Sequence, residues 1–520
     1  MARLARPRPS VAASATLLAG LAGGCAHSSA FLCPAEGGPP WVEVESDHFV
    51  VKTDAAEALA EKAVMELETM RMAQLAAWDA RFDPPARLEV VVLRNQAELE
   101  ELVGPRRAPS ERVAGYYTRG ARSRAVTGLL IDRHEPSVAL PPLREQAEER
   151  AWLAEAATLR HELAHHLAGQ VLLRQPRWIA EGLAQYLAAT RYETWQGRPA
   201  AVVGPTGGNA WAGERVPAAA LFAWRPGEPG ARYYASSWLL VHYLVSRRGP
   251  AFADYQQRLA RAEDPAAAWR ASFPGLDPGD GAAMASLDRE LDAYVRSGPH
   301  SLPRVFLPAI DPQLRRRQLA APEVHGLRAE LFLLSPLGTQ KARSMANAEV
   351  AASLREDPSG LPLALILAEV GRKGDSLRLG RAAAAARPDD WRGWAMLAGG
   401  AAGRDDLRAE RLAALRRAAA LLPDDAWALN DVAWGLFESG ASGEALPLAA
   451  RAARLAPGNA SVLDTWGAIL ADVGRCAEAL LAQRRAVDLL GERATAEAAR
   501  EVRDRLERIE AQCGSASARP

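Results

Sequence analysis

The stretch TLRHELAHHLAG, residues 158–169, contains three of the nine histidines of the chain and one glutamate. His161 and His165 are four residues apart, so on a helix they lie on nearly the same face and both imidazoles can point at one ion. Glu162 is turned aside by about 100° and flanks that ion. This HExxH arrangement predicts a helical Zn²⁺ site, with Glu162 placed to take a proton from water. His166 is rotated away from His165 by about 100° and is expected next to the ligands or at the surface, not on the metal.

The stretch QPRWIAEGLAQYLA, residues 175–188, supplies a third candidate ligand. Zinc held by two histidines needs another protein ligand, and Glu181 follows His165 by sixteen residues on the next predicted helix. Gly182 predicts a close contact with another helix, because a glycine inside a helix costs about 1 kcal/mol. Gln185, one turn after Glu181, is placed to hydrogen-bond a ligand. The alternative is a solvated helix beside an unrelated WxxEG.

HExxH followed by WxxEG resembles the gluzincin metallopeptidases, the thermolysin-like and aminopeptidase-like group. The resemblance covers residues 41–297 and is specific over residues 158–188. It implies an α+β zinc metallopeptidase domain in which His161, His165 and Glu181 bind one zinc. It also implies that Glu162 is the general base.

The stretch YYASSWLLVHYL, residues 233–244, resembles the segment around the catalytic tyrosine of the aminopeptidase-like gluzincins. The alignment selects Tyr234 as the group that supports the oxyanion, with Ser237 as the small residue three positions later. Tyr233 is the alternative, and so is a purely structural role in an aromatic core. The GxMxN signature of the true aminopeptidases is absent from the sequence. Peptide-bond hydrolysis of unknown preference is therefore expected, with VAGYYT, residues 113–118, as a candidate edge strand for an extended substrate.

The rest of the N-terminal half has an α+β pattern. The pattern predicts strands at 41–53, 88–93, 113–118 and 128–132, and helices at 55–81 and 143–168. From residue 179 to about 295 it predicts helices with Gly/Pro breaks. The proline-rich run from residue 296 to 312 indicates a boundary, so we expect a metallopeptidase domain at 41–297 and a linker at 298–340.

The C-terminal part repeats itself. Pro388, Pro423 and Pro457 are spaced by 35 and 34 residues, and each follows an alanine-rich amphipathic segment. This spacing resembles tetratricopeptide repeats and implies an all-α array at 341–492, followed by a helix and tail at 493–520. Such arrays present concave surfaces, so a protein partner or substrate is expected there. The alternative is an ordinary helical bundle.

The N-terminus predicts export. Three arginines precede a short apolar run in a predicted signal peptide at 1–24, and LAGGC resembles the lipobox of bacterial lipoproteins, with Cys25 as the lipidated residue before a spacer at 25–40. Ordinary signal cleavage with release is the alternative. The expected location is the cell envelope, with a membrane anchor facing the periplasm or exterior. An oxidising compartment permits a Cys476–Cys513 disulfide, with Cys33 left over, or two bridges if Cys25 is retained.

The charges of the chain balance, with 63 basic and 63 acidic residues, so nucleic acid is not an expected partner. The sequence therefore predicts an exported, lipid-anchored zinc metallopeptidase whose repeats bind a protein partner or substrate. The competing hypothesis is a scaffold for envelope protein interactions whose zinc domain is inactive.

Overall fold

The structure is a computed structural model. It describes residues 31–78, 87–104, 115–119, 123–128, 159–203, 215–224, 231–297, 304–335, 339–490 and 496–516. The predicted signal peptide, Cys25 and residues 143–158 of the predicted long helix lie outside this part of the chain.

A six-stranded sheet forms the centre of the N-terminal half. Its strands are β1 (Trp41–Glu45), β2 (Phe49–Thr53), β3 (Leu88–Leu93), β4 (Gly115–Arg119), β5 (Ser123–Gly128) and β9 (Arg315–Leu319). Their order in the sheet is β4-β5-β3-β2-β1-β9. The pairs β2–β3 and β3–β5 are parallel, whereas β4–β5, β1–β2 and β1–β9 are antiparallel. A mixed sheet of this kind agrees with the predicted α+β class.

One strand prediction needs correction. The single strand predicted at 41–53 is a hairpin, because the chain reverses where Ser46 N donates to the Phe49 carbonyl at 2.9 Å. Ser and Asp are turn residues, and the run Ser46-Asp47 interrupts the alternation there. Of the strand predicted at 128–132, the structure describes only Gly128, which is the last described residue of β5 (Ser123–Gly128). Residues 129–132 lie outside the described residues.

The two faces of the sheet are covered by different parts of the chain. On one face, Val44, Val51 and Val90 pack with α1 (Glu57–Trp78) and with α3, described over residues 159–171. On the other face, Trp41 and Val91 pack with α2 (Gln96–Val103), α10 (Ala321–Leu333) and α11 (Thr339–Glu356). Successive side chains of a strand point to opposite faces, which is why alternate residues of β1 and β3 enter different cores.

A second helical core follows the sheet. It is built on α4 (Arg177–Ala188), α5 (Ala218–Phe222), α6 (Ala231–Arg247), α7 (Gly249–Ala260), α8 (Pro265–Ser272) and α9 (Gly281–Arg296). A three-stranded sheet of β6 (Thr190–Trp195), β7 (Arg198–Val203) and β8 (Arg304–Phe306) lies beside it. The prediction of helices alone from 179 to 295 was wrong here. Gln196 and Gly197 both have positive φ, 51° and 73°, which gives the tight turn that joins β6 to β7.

The segment predicted as a linker, residues 298–340, contains regular structure. It supplies β8, β9 and α10, and β9 pairs with β1 from Trp41↔Leu319 to Glu45↔Arg315. Of its prolines in the described residues, Pro308 and Pro312 lie between β8 and β9, and Pro322 lies in the first turn of α10. The segment therefore connects the sheet to the helices that follow it. Its contacts with the sheet cannot be predicted from sequence periodicity.

The C-terminal part is a TPR-like helical repeat array, as predicted. Its helices are α11, α12 (Lys373–Ala386), α13 (Trp391–Gly400), α14 (Arg408–Leu421), α15 (Ala426–Glu438), α16 (Ser442–Leu455), α17 (Ala460–Asp472), α18 (Cys476–Asp488) and α19 (Ala496–Ala516). From α12 to α19 each helix packs against the next one in the chain, whereas α11 packs on α10, and the apolar sides of α13 to α18 share one buried core. Such a core needs several stacked units.

A disulfide joins Cys476 at the start of α18 to Cys513 in α19. Cys33 is buried and carries a free thiol. The helices within the described residues include none long and apolar enough to span a bilayer.

Candidate functional site

The helix α3 carries the HExxH residues and is anchored on the sheet by one side. Leu159, Leu163 and Leu167 are fully buried in the core formed with β2, β3 and α1. Gln74 of α1 donates its side-chain N–H to the Arg160 carbonyl at 2.9 Å. Because the leucines recur every four residues and occupy the sheet side of α3, the two ligand histidines are held on another side of the same helix.

The helix α4 brings Glu181 to this site and is held by α6. A Cβ on Gly182 would lie 2.6 Å from the Ser237 carbonyl oxygen and 2.7 Å from Cγ2 of Val241. Only glycine permits this approach of the two helices. The close contact predicted from Gly182 is thereby confirmed, and the neighbouring Glu181 is fixed by the packing of the backbone.

His161, His165 and Glu181 come together within the described part of the chain. The two Nε2 atoms lie 3.1 Å apart, and Oε2 of Glu181 lies 3.4 Å from Nε2 of His161 and 3.2 Å from that of His165. The three side chains are half-buried. The residues predicted as ligands from two separate sequence motifs are therefore neighbours in the structure.

This triangle fits a tetrahedral zinc ion. Three ligand atoms at about 2.0–2.1 Å from a tetrahedral centre lie about 3.3–3.4 Å from one another, close to the observed separations. Oε2 of Glu181 is buried and has no hydrogen-bond partner. A buried carboxylate oxygen without a partner is unfavourable, and a cation between the three atoms would satisfy it. Two imidazoles and one carboxylate form a donor set that zinc accepts in catalytic sites.

The electrostatics of the site keep Glu181 ionised. Burial by itself raises the pKa of this carboxyl group, but the adjacent imidazoles of His161 and His165 outweigh burial and hold the pKa well below its usual range. A carboxylate that stays charged at every physiological pH is a permanent negative ligand. It is the protonation state that metal binding requires.

The other polar residues of these helices occupy different surroundings. Glu162 is half-buried and follows His161 directly on α3. His166 is buried, and its Nε2 lies 2.7 Å from the side-chain nitrogen of Gln170, away from the three converging groups. Gln185 is half-buried on α4, one turn after Glu181. The roles predicted for Glu162 and Gln185 stay predictions.

The two candidate tyrosines lie at the start of α6 and both pack on Trp224. Tyr233 stacks on the indole at 4.9 Å between ring centroids, and Tyr234 meets it edge-on at 5.5 Å. The guanidinium of Arg177, in the first turn of α4, covers the same indole at 4.3 Å. The aromatic cluster thus joins the start of α6 to the start of α4, one turn before Glu181. The choice between Tyr234 and Tyr233 stays open.

The repeat array touches the end of the metal-site helix, a contact that the sequence does not signal. A Cβ on Gly458, in the loop between α16 and α17, would lie 2.5 Å from the Gly169 carbonyl oxygen near the end of α3. Nearby, Nε of Arg174 pairs with Asp488 of α18 at 2.8 Å. Gly458, directly after Pro457, has no side chain and so permits this close packing, but a glycine there does not by itself predict the contact.

Among the strands of the described residues, β4 is the outermost at one end of the six-stranded order. The predicted strand 113–118 corresponds to it over residues 115–118. An outermost strand has unpaired backbone groups on one side, which is the requirement for adding an extended peptide.

Comparison with known proteins gives limited matches. No protein-family model matches the sequence, and no curated protein matches it. Among solved structures, the chain is similar to TTC0263, a thermophilic TPR protein of Thermus thermophilus, with 17% identity and a TM-score of 0.28 over 36% of this chain and 96% of that chain. It is also similar to yeast Tom70, with 13% identity and a TM-score of 0.27 over 73% of this chain and 76% of that chain. The TPR-like arrangement described above rests on the chain's own helix order and spacing.

Proposed function

We propose that this protein is a zinc metallopeptidase of the gluzincin type, exported and anchored to a membrane through a lipid on Cys25. The observation that supports it best is the convergence of His161, His165 and Glu181, whose ligand atoms all lie within 4.8 Å of one another. Glu162 follows the first ligand directly, so the ligands and the general base of an HExxH peptidase are all present in the chain.

The proposed chemistry is hydrolysis of a peptide bond by water. Zinc, when bound, polarises a carbonyl group and makes water acidic enough to lose its proton near neutral pH. Glu162 accepts a proton from the attacking water and transfers it to the leaving amine. Tyr234 donates a hydrogen bond to the oxygen on which negative charge develops. An extended substrate pairs with the open side of β4.

The proposed export is supported by the chemistry of the cysteines. The Cys476–Cys513 disulfide suits an oxidising compartment, where such bonds persist. Lipidation of Cys25 places the chain at a membrane without a spanning helix.

The second candidate function is a scaffold. The helical array is observed, and repeat arrays of this kind bind protein partners on their concave surfaces. Under this hypothesis the three converging ligands hold a structural zinc, and peptides are not cleaved.

The test combines metal analysis with two substitutions. Purified protein should contain about one zinc per chain by mass spectrometry, and it should cleave members of a fluorogenic peptide library. Glu162→Gln should keep the zinc and lose cleavage by at least about a hundredfold, because the proton acceptor is removed while the ligands stay. His165→Asn should lose the zinc, and the adjacent His166→Asn serves as the matched control that keeps it.

The outcomes separate the two candidates. Cleavage retained by Glu162→Gln contradicts the peptidase mechanism. Stoichiometric zinc with no cleavage of any library peptide favours the scaffold, and folded wild-type protein without zinc contradicts the ligand assignment.

A further inference from the structure

A cleft of about 770 Å³ lies between the six-stranded sheet and the repeat array. Its volume is within the range of ligand sites in proteins. Neither the metal-site residues nor the candidate tyrosines line it. It is formed by the face of the sheet that carries Glu43 and by the N-terminal ends of array helices such as α13 and α15.

The sheet side of the cleft is a row of charges. Glu43 of β1 lies opposite Lys52 of β2 and opposite Arg317 of β9. Lys52 pairs with Glu89 of β3 at 2.7 Å and with Glu43 at 3.6 Å, and Arg317 pairs with Glu43. The cations of this wall are thus already neutralised by carboxylates of the protein.

The array side is largely apolar. Leu327 and Leu365 line the cleft together with two half-buried indoles, those of Trp391 and Trp427. Indole rings bind apolar side chains and also attract cations over their faces. The two walls therefore differ in chemistry, one charged and one apolar with aromatic rings.

The charge balance of the cleft is negative. Its lining contains eight carboxylate side chains and four cationic ones, and one of the carboxylates, Asp424, also pairs with Arg451 at 2.5 Å. The cations outside the row are also paired, Arg87 with Glu45 at 3.5 Å and Arg392 with Asp390 at 2.7 Å. Every cation that lines the cleft already has a carboxylate partner, so an anionic ligand would have to compete with that carboxylate. A cationic ligand would meet an excess of negative charge.

Acidic groups also crowd the array next to the cleft. Burial, and then the charges of Asp431 and Glu330, raise the pKa of Glu369 to about 7. Burial raises the pKa of Asp431 to about 6, with Glu438 adding to the shift and Arg411 opposing it. Glu330 itself lines the cleft. Repulsion among these carboxylates would be relieved by a bound cationic group.

The cleft and the metal site lie on opposite faces of the sheet. Val44, Val51 and Val90 face α3, whereas Glu43, Lys52 and Glu89 alternate with them along the same strands and face the cleft. A polypeptide in the cleft is therefore separated from Glu181 by the thickness of the sheet.

We propose that this cleft binds a basic, amphipathic polypeptide segment, with lysine or arginine side chains on cleft carboxylates such as Asp47 and Glu330 and apolar side chains on the Trp391 and Leu365 wall. The site is distinct from the metal centre, and its occupation does not depend on the proposed hydrolysis. It gives the chain a way to hold a basic protein partner on the face of the sheet opposite to the one that packs against α3.

Binding can be measured by fluorescence anisotropy with the full chain. The probe is a short labelled peptide in which lysine and leucine alternate, compared with the same peptide carrying glutamate in place of lysine. The lysine peptide should bind at least about tenfold more tightly, and added salt should weaken it. The triple variant Asp47→Asn, Glu330→Gln and Asp424→Asn should bind it at least about tenfold more weakly, because three carboxylates of the cleft are neutralised.

The matched control changes the same charge elsewhere. Glu501→Gln, Asp504→Asn and Glu507→Gln neutralise three exposed carboxylates of α19, outside the cleft, and should leave the affinity within about twofold. Circular dichroism and zinc content report whether each variant folds. Equal affinity for the two peptides, or equal weakening by the cleft and α19 variants, overturns the proposal.

A last experiment distinguishes binding in the cleft from binding at the proposed peptidase site. Glu162→Gln should bind the lysine peptide with the affinity of the wild type, whether or not the wild type cleaves peptides. Loss of binding in Glu162→Gln would assign the peptide to the metal site and overturn the proposal.

Discussion

The repeat array and the metal site are both built from packed helices, but they are specified over different distances in the chain. In the array, Asp390, Asp425 and Asn459 each accept a hydrogen bond from the first turn of the following helix. Each lies two residues after a proline of the repeat, so the same local signal starts α13, α15 and α17. The helix α4 begins after Pro176 without a side-chain cap. Its position depends on Gly182 against α6, far along the chain.

The structure of the periodic parts of this protein can therefore be predicted from local sequence signals. The candidate metal site depends on contacts between segments that are distant in the chain. Changes in the array should have local effects. Substitutions at the helix contacts of the N-terminal domain should change the positions of His161, His165 and Glu181.

The largest effect is expected from the disulfide at the end of the array. Replacing Cys513 by Ser should lower the local stability of α18 and α19 by about 2–4 kcal/mol, because the bridge closes a loop of 37 residues. Hydrogen exchange of α19 measures this loss, and zinc content should not change. Reductant added to the Cys513→Ser variant should have no further effect on α19. Loss of zinc on reduction would show that the two regions are not independent.

The next largest loss of stability is expected at one of two helix glycines, which we compare. Gly182→Ala places a methyl group against the backbone of Ser237 and should destabilise the domain by about 1–3 kcal/mol and weaken zinc binding. Gly435→Ala in α15 meets only the end of the Leu415 side chain, at 2.7 Å, and should stay within about 1 kcal/mol of wild type. Denaturation and zinc titration measure both. Similar losses for the two variants would contradict the contrast between the regions.

A smaller effect on stability, and one that depends on pH, is expected from Asp54, which is buried directly after β2. Burial, and then the charge of Glu98, raises the pKa of Asp54 to about 8. In the unfolded chain its pKa is about 3.9, so between about pH 4 and 8 the folded state holds a proton that the unfolded state loses. Stability from this group is therefore full below about pH 4 and falls as pH rises through that window.

Asp54→Asn keeps the neutral form at every pH and can still accept the Arg94 N–H. It should raise the stability of the sheet region at pH 8 by more than about 1 kcal/mol and have little effect at pH 4. Melting temperatures across pH test this, with the exposed Asp504→Asn as control. An Asp54→Asn variant that melts in parallel with the wild type at all pH values would contradict the assignment.

The smallest effect concerns the ion pair that joins the two regions. Asp488→Asn removes the partner of Arg174 and should cost less than about 1 kcal/mol. Burial raises the pKa of Asp488, the charge of Arg174 opposes that shift, and the nearby carboxylate of Asp264 adds to it. Zinc affinity compared between Asp488→Asn and wild type tests whether the array influences α3. A change in zinc affinity above about tenfold would mean that this contact positions the ligands.

Much of the array, and the convergence of His161, His165 and Glu181, could be predicted from the sequence. The spacing of Pro388, Pro423 and Pro457 predicted the repeat, and the spacing of two motifs selected His161, His165 and Glu181. The β6–β7 hairpin was missed because its turn depends on the positive φ of Gln196, a conformation with little sequence signal in a residue other than glycine. The return of β9 to β1 was missed because its partner is almost three hundred residues away.

By itself, the sequence determined the helix pairs of the array and the helical faces that carry the metal-site residues, since both follow from periodicity and local caps. Tertiary structure alone decided how Glu181 meets the two histidines, because that depends on the backbone of α6 against Gly182. It also decided that the sheet separates the metal site from an acidic cleft. Alternation along β1 and β3 assigns side chains to two faces, but only the packing of α3 and the array determines what each face meets.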